Sequence, residues 1–264
     1  STSILFIGIS FVCAAIFVNN QIYDLETDKN NNKKIIIDNY ITIDFSKKVA
    51  LFFIVCGLLL IIFIDYLVVF PMALLYLICG VLFTNKNLKF KQNIFLNFLF
   101  YMILALFLIL SGITYSRSGM SIINLFAISI KYLTPFLLLY GAVVLAVNIL
   151  DQEGDRLSNR CTIPQNIGVR FTSIIAFLMC SLSFLIGLYI EEPLSVVCSI
   201  SSVPFFLFLI FRGKEKDIVR AVRYPILLVN FYIFMIFPLL FYPIVIIFYL
   251  SKYYYWHRFS LHYP

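Results

Sequence analysis

Two acidic clusters carry the strongest chemical signal in the sequence. The first reads Asp24-Leu25-Glu26-Thr27-Asp28-Lys29 and continues to Asn32 and Lys33. The second reads Asp151-Gln152-Glu153-Gly154-Asp155-Arg156 and continues to Asn159 and Arg160. One and the same separation along the chain carries Asp24 to Asp151, Asp28 to Asp155 and Lys89 to Lys216. Aspartates four apart share a helical face, where like charges repel. Carboxylates at a helix C-terminus meet the negative end of its dipole, at a cost of a few tenths to about 1 kcal/mol. Repeating that arrangement in register points to a cation. Hard oxygen ligands without His or Cys suit Mg²⁺, which takes one or two carboxylates and completes its shell with phosphate and water. Asp24, Asp28, Asp151 and Asp155 are therefore the candidate metal ligands. Solvated loop acids balancing nearby lysines would not explain the matched Asn and basic positions.

The elements that must hold these clusters are membrane helices. The chain has 264 residues, 62% hydrophobic and 12% charged, with a mean hydropathy of +0.98. Soluble domains are about half apolar and a quarter charged. Crossing the hydrocarbon layer takes about 17–25 apolar residues. Runs near 4–23, 49–64, 66–83, 94–114, 122–150, 171–190, 194–211 and 225–250 meet or approach that length. The second and third form one stretch interrupted at Asp65 and Pro71, too long for a single crossing. Continuous rather than alternating runs favour helices over a barrel. The fold class expected is thus all-α: a polytopic bundle of about eight transmembrane helices.

All Lys and Arg except Arg117, Lys131, Lys252 and Arg258 fall in the loops 24–48, 84–93, 151–170 and 212–224. If every span crosses, these loops share one side, which the positive-inside rule makes cytoplasmic. The net charge of +7 is then topology, with no nucleic-acid partner implied. Each acidic cluster closes a span and is followed by three more, so the halves run parallel. The expected organisation is a single domain over 1–264, with internal repeats of about 1–121 and 122–250 and a site between them. The aromatic run 253–256 reads as an anchor at the opposite interface. The six cysteines lack metal or disulfide spacing and read as packing.

On these residues the sequence resembles the UbiA superfamily of intramembrane prenyltransferases. Asn20-Gln21-Ile22-Tyr23-Asp24 through Asp28 is similar to the family's NDxxDxxxD motif, with Gln21 in place of its second acid. Asp151 through Arg156 resembles the DxEGDR form of the second motif, and residues 83–91 resemble the basic loop between them. The resemblance implies a bundle around a central cavity, and a further helix ahead of the one that carries the first motif, which reads as missing from this sequence. It implies that Asn20, Asp24, Asp28, Asp151 and Asp155 hold two Mg²⁺ ions on a prenyl diphosphate. Lys33, Lys89 and Lys91 match positions that neutralise the diphosphate. Arg156 and Arg160 either assist or simply follow the positive-inside rule. Glu26 and Glu153 point off the aspartate face and read as structural.

The expected reaction is Mg²⁺-dependent ionisation of an allylic prenyl diphosphate, followed by attack of a lipophilic, most often aromatic, acceptor. Aromatic side chains would steady the allyl cation. The partners implied are prenyl diphosphate, acceptor and membrane lipid, with no obligate protein partner. A membrane terpene cyclase needs no acceptor and is the nearest competitor. A non-catalytic or transport protein is a third reading, although transport sites normally lie at the midplane rather than at the membrane face.

Overall fold

The computed structural model describes residues 2–30, 37, 40–85, 88, 90–116, 122–158 and 161–260. Its described residues are almost entirely helical, with no β-strand. α1 (Thr2–Tyr23) leads into short α2 (Leu25–Asn30); α3 (Ile43–Ile64) is followed by α4 (Tyr66–Leu75), which passes into a π-helical segment, Tyr76–Leu82. A turn of 3₁₀-helix at Phe90–Gln92 precedes α5 (Ile94–Ser116). The second half contains α6 (Ile122–Leu150), short α7 (Gln152–Leu157) and α8 (Ile163–Ile167), then α9 (Val169–Tyr189), α10 (Pro193–Arg212), α11 (Glu215–Ile236) and α12 (Phe241–Phe259).

Seven of these helices are long and apolar enough to cross a membrane, and Tyr66–Leu82 is a shorter apolar helix. Their outer faces carry exposed side chains such as Phe63, Phe70, Leu188 and Phe211, as expected of surfaces that meet lipid rather than water. The chain is an integral membrane protein.

The predicted interruption at Asp65 has a local cause. The Asp65 N–H closes α3 on the Ile61 carbonyl, and its carboxylate accepts from the Leu67 N–H at 2.9 Å to begin α4. One residue thus ends one helix and caps the next. Two expected boundaries need correction. α3 starts at Ile43 rather than near 49, where Thr42 caps the Phe45 N–H. The last span was expected over 225–250, but Pro225 lies inside α11, and Lys216, Arg220 and Arg223 occupy its first turns. Its break falls at Phe237 and Pro238, where the missing proline N–H and the ring's clash stop the helix. The run 253–256 therefore belongs to a separate helix.

Among the described residues, two hydrophobic cores lie one in each half. α1, α3, α4 and α5 enclose Val12, Ile61, Met72 and Leu75. α6, α9, α10 and α11 enclose Leu145, Ala176, Cys198 and Phe206. Neighbour relations correspond: α1 packs on α3 as α6 packs on α9, and α4 on α5 as α10 on α11. The halves meet where α6 touches α5 and where α2 touches α7. The α1–α3 crossing is close because a Cβ on Gly57 would lie 2.9 Å from the Gly8 carbonyl oxygen, the small-residue contact that lets membrane helices approach without a hydrophobic driving force.

Candidate active site at the junction of the motif helices

Both acidic clusters adopt one backbone pattern. α1 stops at Tyr23, Asp24 forms a bend, and α2 begins at Leu25. α6 stops at Leu150, Asp151 forms a turn at φ −91° and ψ 4°, and α7 begins at Gln152. Hydrogen bonds nevertheless run through each junction: Asp24 N–H to Asn20 O and Asp28 N–H to Asp24 O, as Asp151 N–H to Val147 O and Asp155 N–H to Asp151 O. The junction changes the expected electrostatics. Asp28 and Asp155 are not the last residues of long helices but lie in the first turns of short ones, where a carboxylate is favoured.

α2 and α7 lie side by side. Thr27 and Gly154, at equivalent positions, are buried, and the Asn30 amide donates to the Ser158 hydroxyl at 3.1 Å. Asp24 and Asp155 are 6% and 3% exposed. Asp28 and Asp151 are half-buried, whereas Glu26, Glu153 and Arg156 face outward. A carboxylate is taken out of water only where charge or hydrogen bonding compensates it, so the buried members of each cluster mark its inner side.

For Asp24 the compensation is Lys91. Its ammonium donates to Asp24 Oδ1 at 2.6 Å and to Asn20 Oδ1 at 3.0 Å, and lies 4.7 Å from the centroid of the Phe83 ring. The basic loop is tied in turn to the second half. The Cys161 N–H donates to the Lys91 carbonyl at 3.2 Å, and the Asn97 amide donates to the Cys161 carbonyl at 3.4 Å. α7 is braced on α8 by Gln152 to the Pro164 carbonyl and Gln165 to the Gln152 carbonyl.

The structure thus gathers Asn20, Asp24 and Lys91 directly and sets the helix of Asp28 beside that of Asp155. Lys33, Lys89 and Arg160 lie outside the described residues. Among the described residues, no three His, Cys, Asp or Glu side chains converge at metal-binding separation. The donor set still fits Mg²⁺. Asn20 and Asp24 already point two hard oxygens at one cation, and this ion needs few protein ligands when phosphate and water supply the rest. Sequence reading missed Phe83, Asn97, Cys161 and the Asn30–Ser158 pair. Only Asn97 carried a signal, as an amide within an otherwise apolar span.

An apolar crevice of about 420 Å³ opens between α5, α6 and α11, lined by Leu108, Phe136, Tyr140, Val143, Val229 and others. Val143 stands two helical turns before Asp151 on α6, so the crevice lies deeper in the bundle than the motif helices.

The model of the UbiA prenyltransferase family matches residues 1–223. Among solved structures, one of digeranylgeranylglyceryl phosphate synthase is similar with a TM-score of 0.58 at 20% identity, covering 86% of this chain and 81% of that one. Comparison with curated proteins finds no match.

Proposed function

Given that this chain belongs to the UbiA prenyltransferase family, and is therefore a membrane prenyltransferase, we propose that it transfers a prenyl group from an allylic prenyl diphosphate to a lipophilic, aromatic acceptor with Mg²⁺ bound. The observation that carries this reading is the contact between α2 and α7. It sets the two aspartate clusters at one junction, as a substrate with two charged phosphates requires.

Asn20, Asp24 and Asp28 would hold one ion, and Asp151 and Asp155 the other. Bound Mg²⁺ supplies positive charge to the diphosphate oxygens as they depart. The chain does the rest. Lys91, with Lys33 and Lys89 from their loops, neutralises the leaving group, a stabilisation fixed in place before the bond breaks. Burial of Asp24 and Asp155 limits the water that would quench an allyl cation. The crevice between α5, α6 and α11 receives the isoprenoid tail, since its walls are apolar and it lies on the bundle side of Asp151. The acceptor attacks C1 of the prenyl group and loses a proton, and diphosphate leaves. The positive-inside rule, applied to the basic loops, supports a cytoplasmic location for this chemistry.

The test is incubation of the purified protein with labelled prenyl diphosphates of several lengths, with and without Mg²⁺. The acceptor panel would contain hydroxybenzoate, naphthoate, homogentisate and glycerol-phosphate compounds. Metal-dependent label on an aromatic acceptor supports the proposal. Label only on a glycerol phosphate changes the acceptor class. A cyclic hydrocarbon formed without acceptor makes the protein a cyclase, and no product from any pair contradicts the reading.

A further inference from the structure

We propose that the oxygens of Asn20 and Asp24 form a cation seat held by the Lys91 ammonium until a divalent ion arrives, and that Lys91 then transfers to the diphosphate. The inference rests on the reading of this junction as a metal–diphosphate site, and it concerns how the site loads.

The seat is built rather than incidental. The Lys91 side chain is only 15% exposed, its ammonium lies between two oxygens at 2.6 and 3.0 Å, and an aromatic face stands 4.7 Å away. An ammonium has three donors and no acceptor, and here two are directed at the oxygens that a metal would use. Mg²⁺ sits about 2.0–2.1 Å from a ligand oxygen. An ion on Asp24 Oδ1 and an ammonium 2.6 Å from the same atom would hold like charges a few ångströms apart in a largely buried site, so each disfavours the other.

Displacement of Lys91 by metal alone leaves a tethered ammonium without its carboxylate, facing a dication. That suppresses metal affinity. A diphosphate gives the displaced ammonium a new anionic partner and removes the penalty. Metal and diphosphate therefore bind with positive coupling, and the coupling is reciprocal. The main chain permits the exchange: the Lys91 carbonyl stays on the Cys161 N–H, while the flexible four-carbon stem swings. The first half then senses the substrate through a residue whose backbone is fastened to the second.

The test uses full-length protein in detergent, with Mn²⁺ as the metal probe followed by electron paramagnetic resonance and inorganic pyrophosphate as the anion. Lys91→Met and Lys91→Gln remove the charge and keep most of the length. Both are expected to bind Mn²⁺ alone about tenfold or more tightly than the wild type, the scale on which one neighbouring charge shifts an ionic equilibrium. Pyrophosphate should raise their Mn²⁺ affinity less than it raises that of the wild type. Unchanged or weaker Mn²⁺ binding in folded variants overturns the proposal. If neither variant folds, acetylation of the wild type decides, read by mass spectrometry. Saturating Mn²⁺ should speed labelling of Lys91, and no change overturns the exchange. Prenyl transfer by the wild type tests the underlying function separately, so an active enzyme with metal-insensitive Lys91 would refute this inference alone.

Discussion

The Asn30 side-chain amide and the Ser158 hydroxyl, 128 residues apart in sequence, are hydrogen-bonded at 3.1 Å. Asn30 is the last residue of α2 and Ser158 is the C-cap of α7, so this bond ties the far ends of the two motif helices. Because it is exposed, its net worth is small, about 0.5–1 kcal/mol. Asn30→Ala and Ser158→Ala are each expected to raise the KM for prenyl diphosphate about threefold, with little change in kcat. The double variant should be no worse than either single one, which a double-mutant cycle on KM would read.

Asn97 is 3% exposed and holds the Cys161 carbonyl, whose own residue holds the Lys91 carbonyl. Asn97→Leu keeps the branched shape and removes the donor, leaving that carbonyl short of a partner at a cost of about 1–3 kcal/mol. The expected outcome is a lower melting temperature together with weaker diphosphate binding, because the loop of Lys91 loses its brace. Isothermal titration with pyrophosphate and Mg²⁺ checks the second effect.

At the α1–α3 crossing, a side chain on Gly57 meets the Gly8 carbonyl at 2.9 Å and Val12 at 3.0 Å. Backbone cannot yield as a side-chain tip does. Gly57→Val should destabilise the protein by about 1–3 kcal/mol, measured as loss of monodisperse protein on heating in detergent. Gly112→Ala meets nothing within 4 Å and should leave that measurement unchanged.

Asp217 is fully buried between Arg212 at 3.3 Å and Arg220 at 3.2 Å, fastening the end of α10 to the first turn of α11. Both arginines are about half exposed, so water screens the pairs and keeps their worth near 1 kcal/mol. Asp217→Ala is expected to lower stability by about 1–2 kcal/mol and to leave kcat unchanged. A fall in kcat at unchanged melting temperature would give these arginines a part in the reaction.

Much of this architecture was legible because membrane helices announce themselves by apolar length, and the two clusters by register. Asp65 was readable as a break because a lone carboxylate in an apolar stretch has to serve a helix end. Boundaries failed where helix and apolar run differ. α3 begins among Asp44, Lys47 and Lys48, and α11 among Glu215, Lys216 and Arg220. Those charges stay helical at the membrane surface, where hydropathy stops counting. Pro225 opens the apolar run, yet it is Pro238 that breaks the helix. Within the site, the residue types at Asp24 and Lys91 were readable, but their pairing was not. It depends on a loop folding back across 67 positions. Cys161 acts through its backbone, which no residue type reveals.

Joint action of the two aspartate clusters on one diphosphate is the property that defines the proposed site. Its most direct test is the rate of diphosphate release by the wild type, Asp24→Asn, Asp155→Asn and the double variant, all at saturating Mg²⁺ and prenyl diphosphate. Residues that work as a unit are not additive. Each single variant should lose about 10²-fold or more, with the double variant close to the worse single one. Wild-type release by either single variant, or losses that multiply in the double, would contradict a shared site.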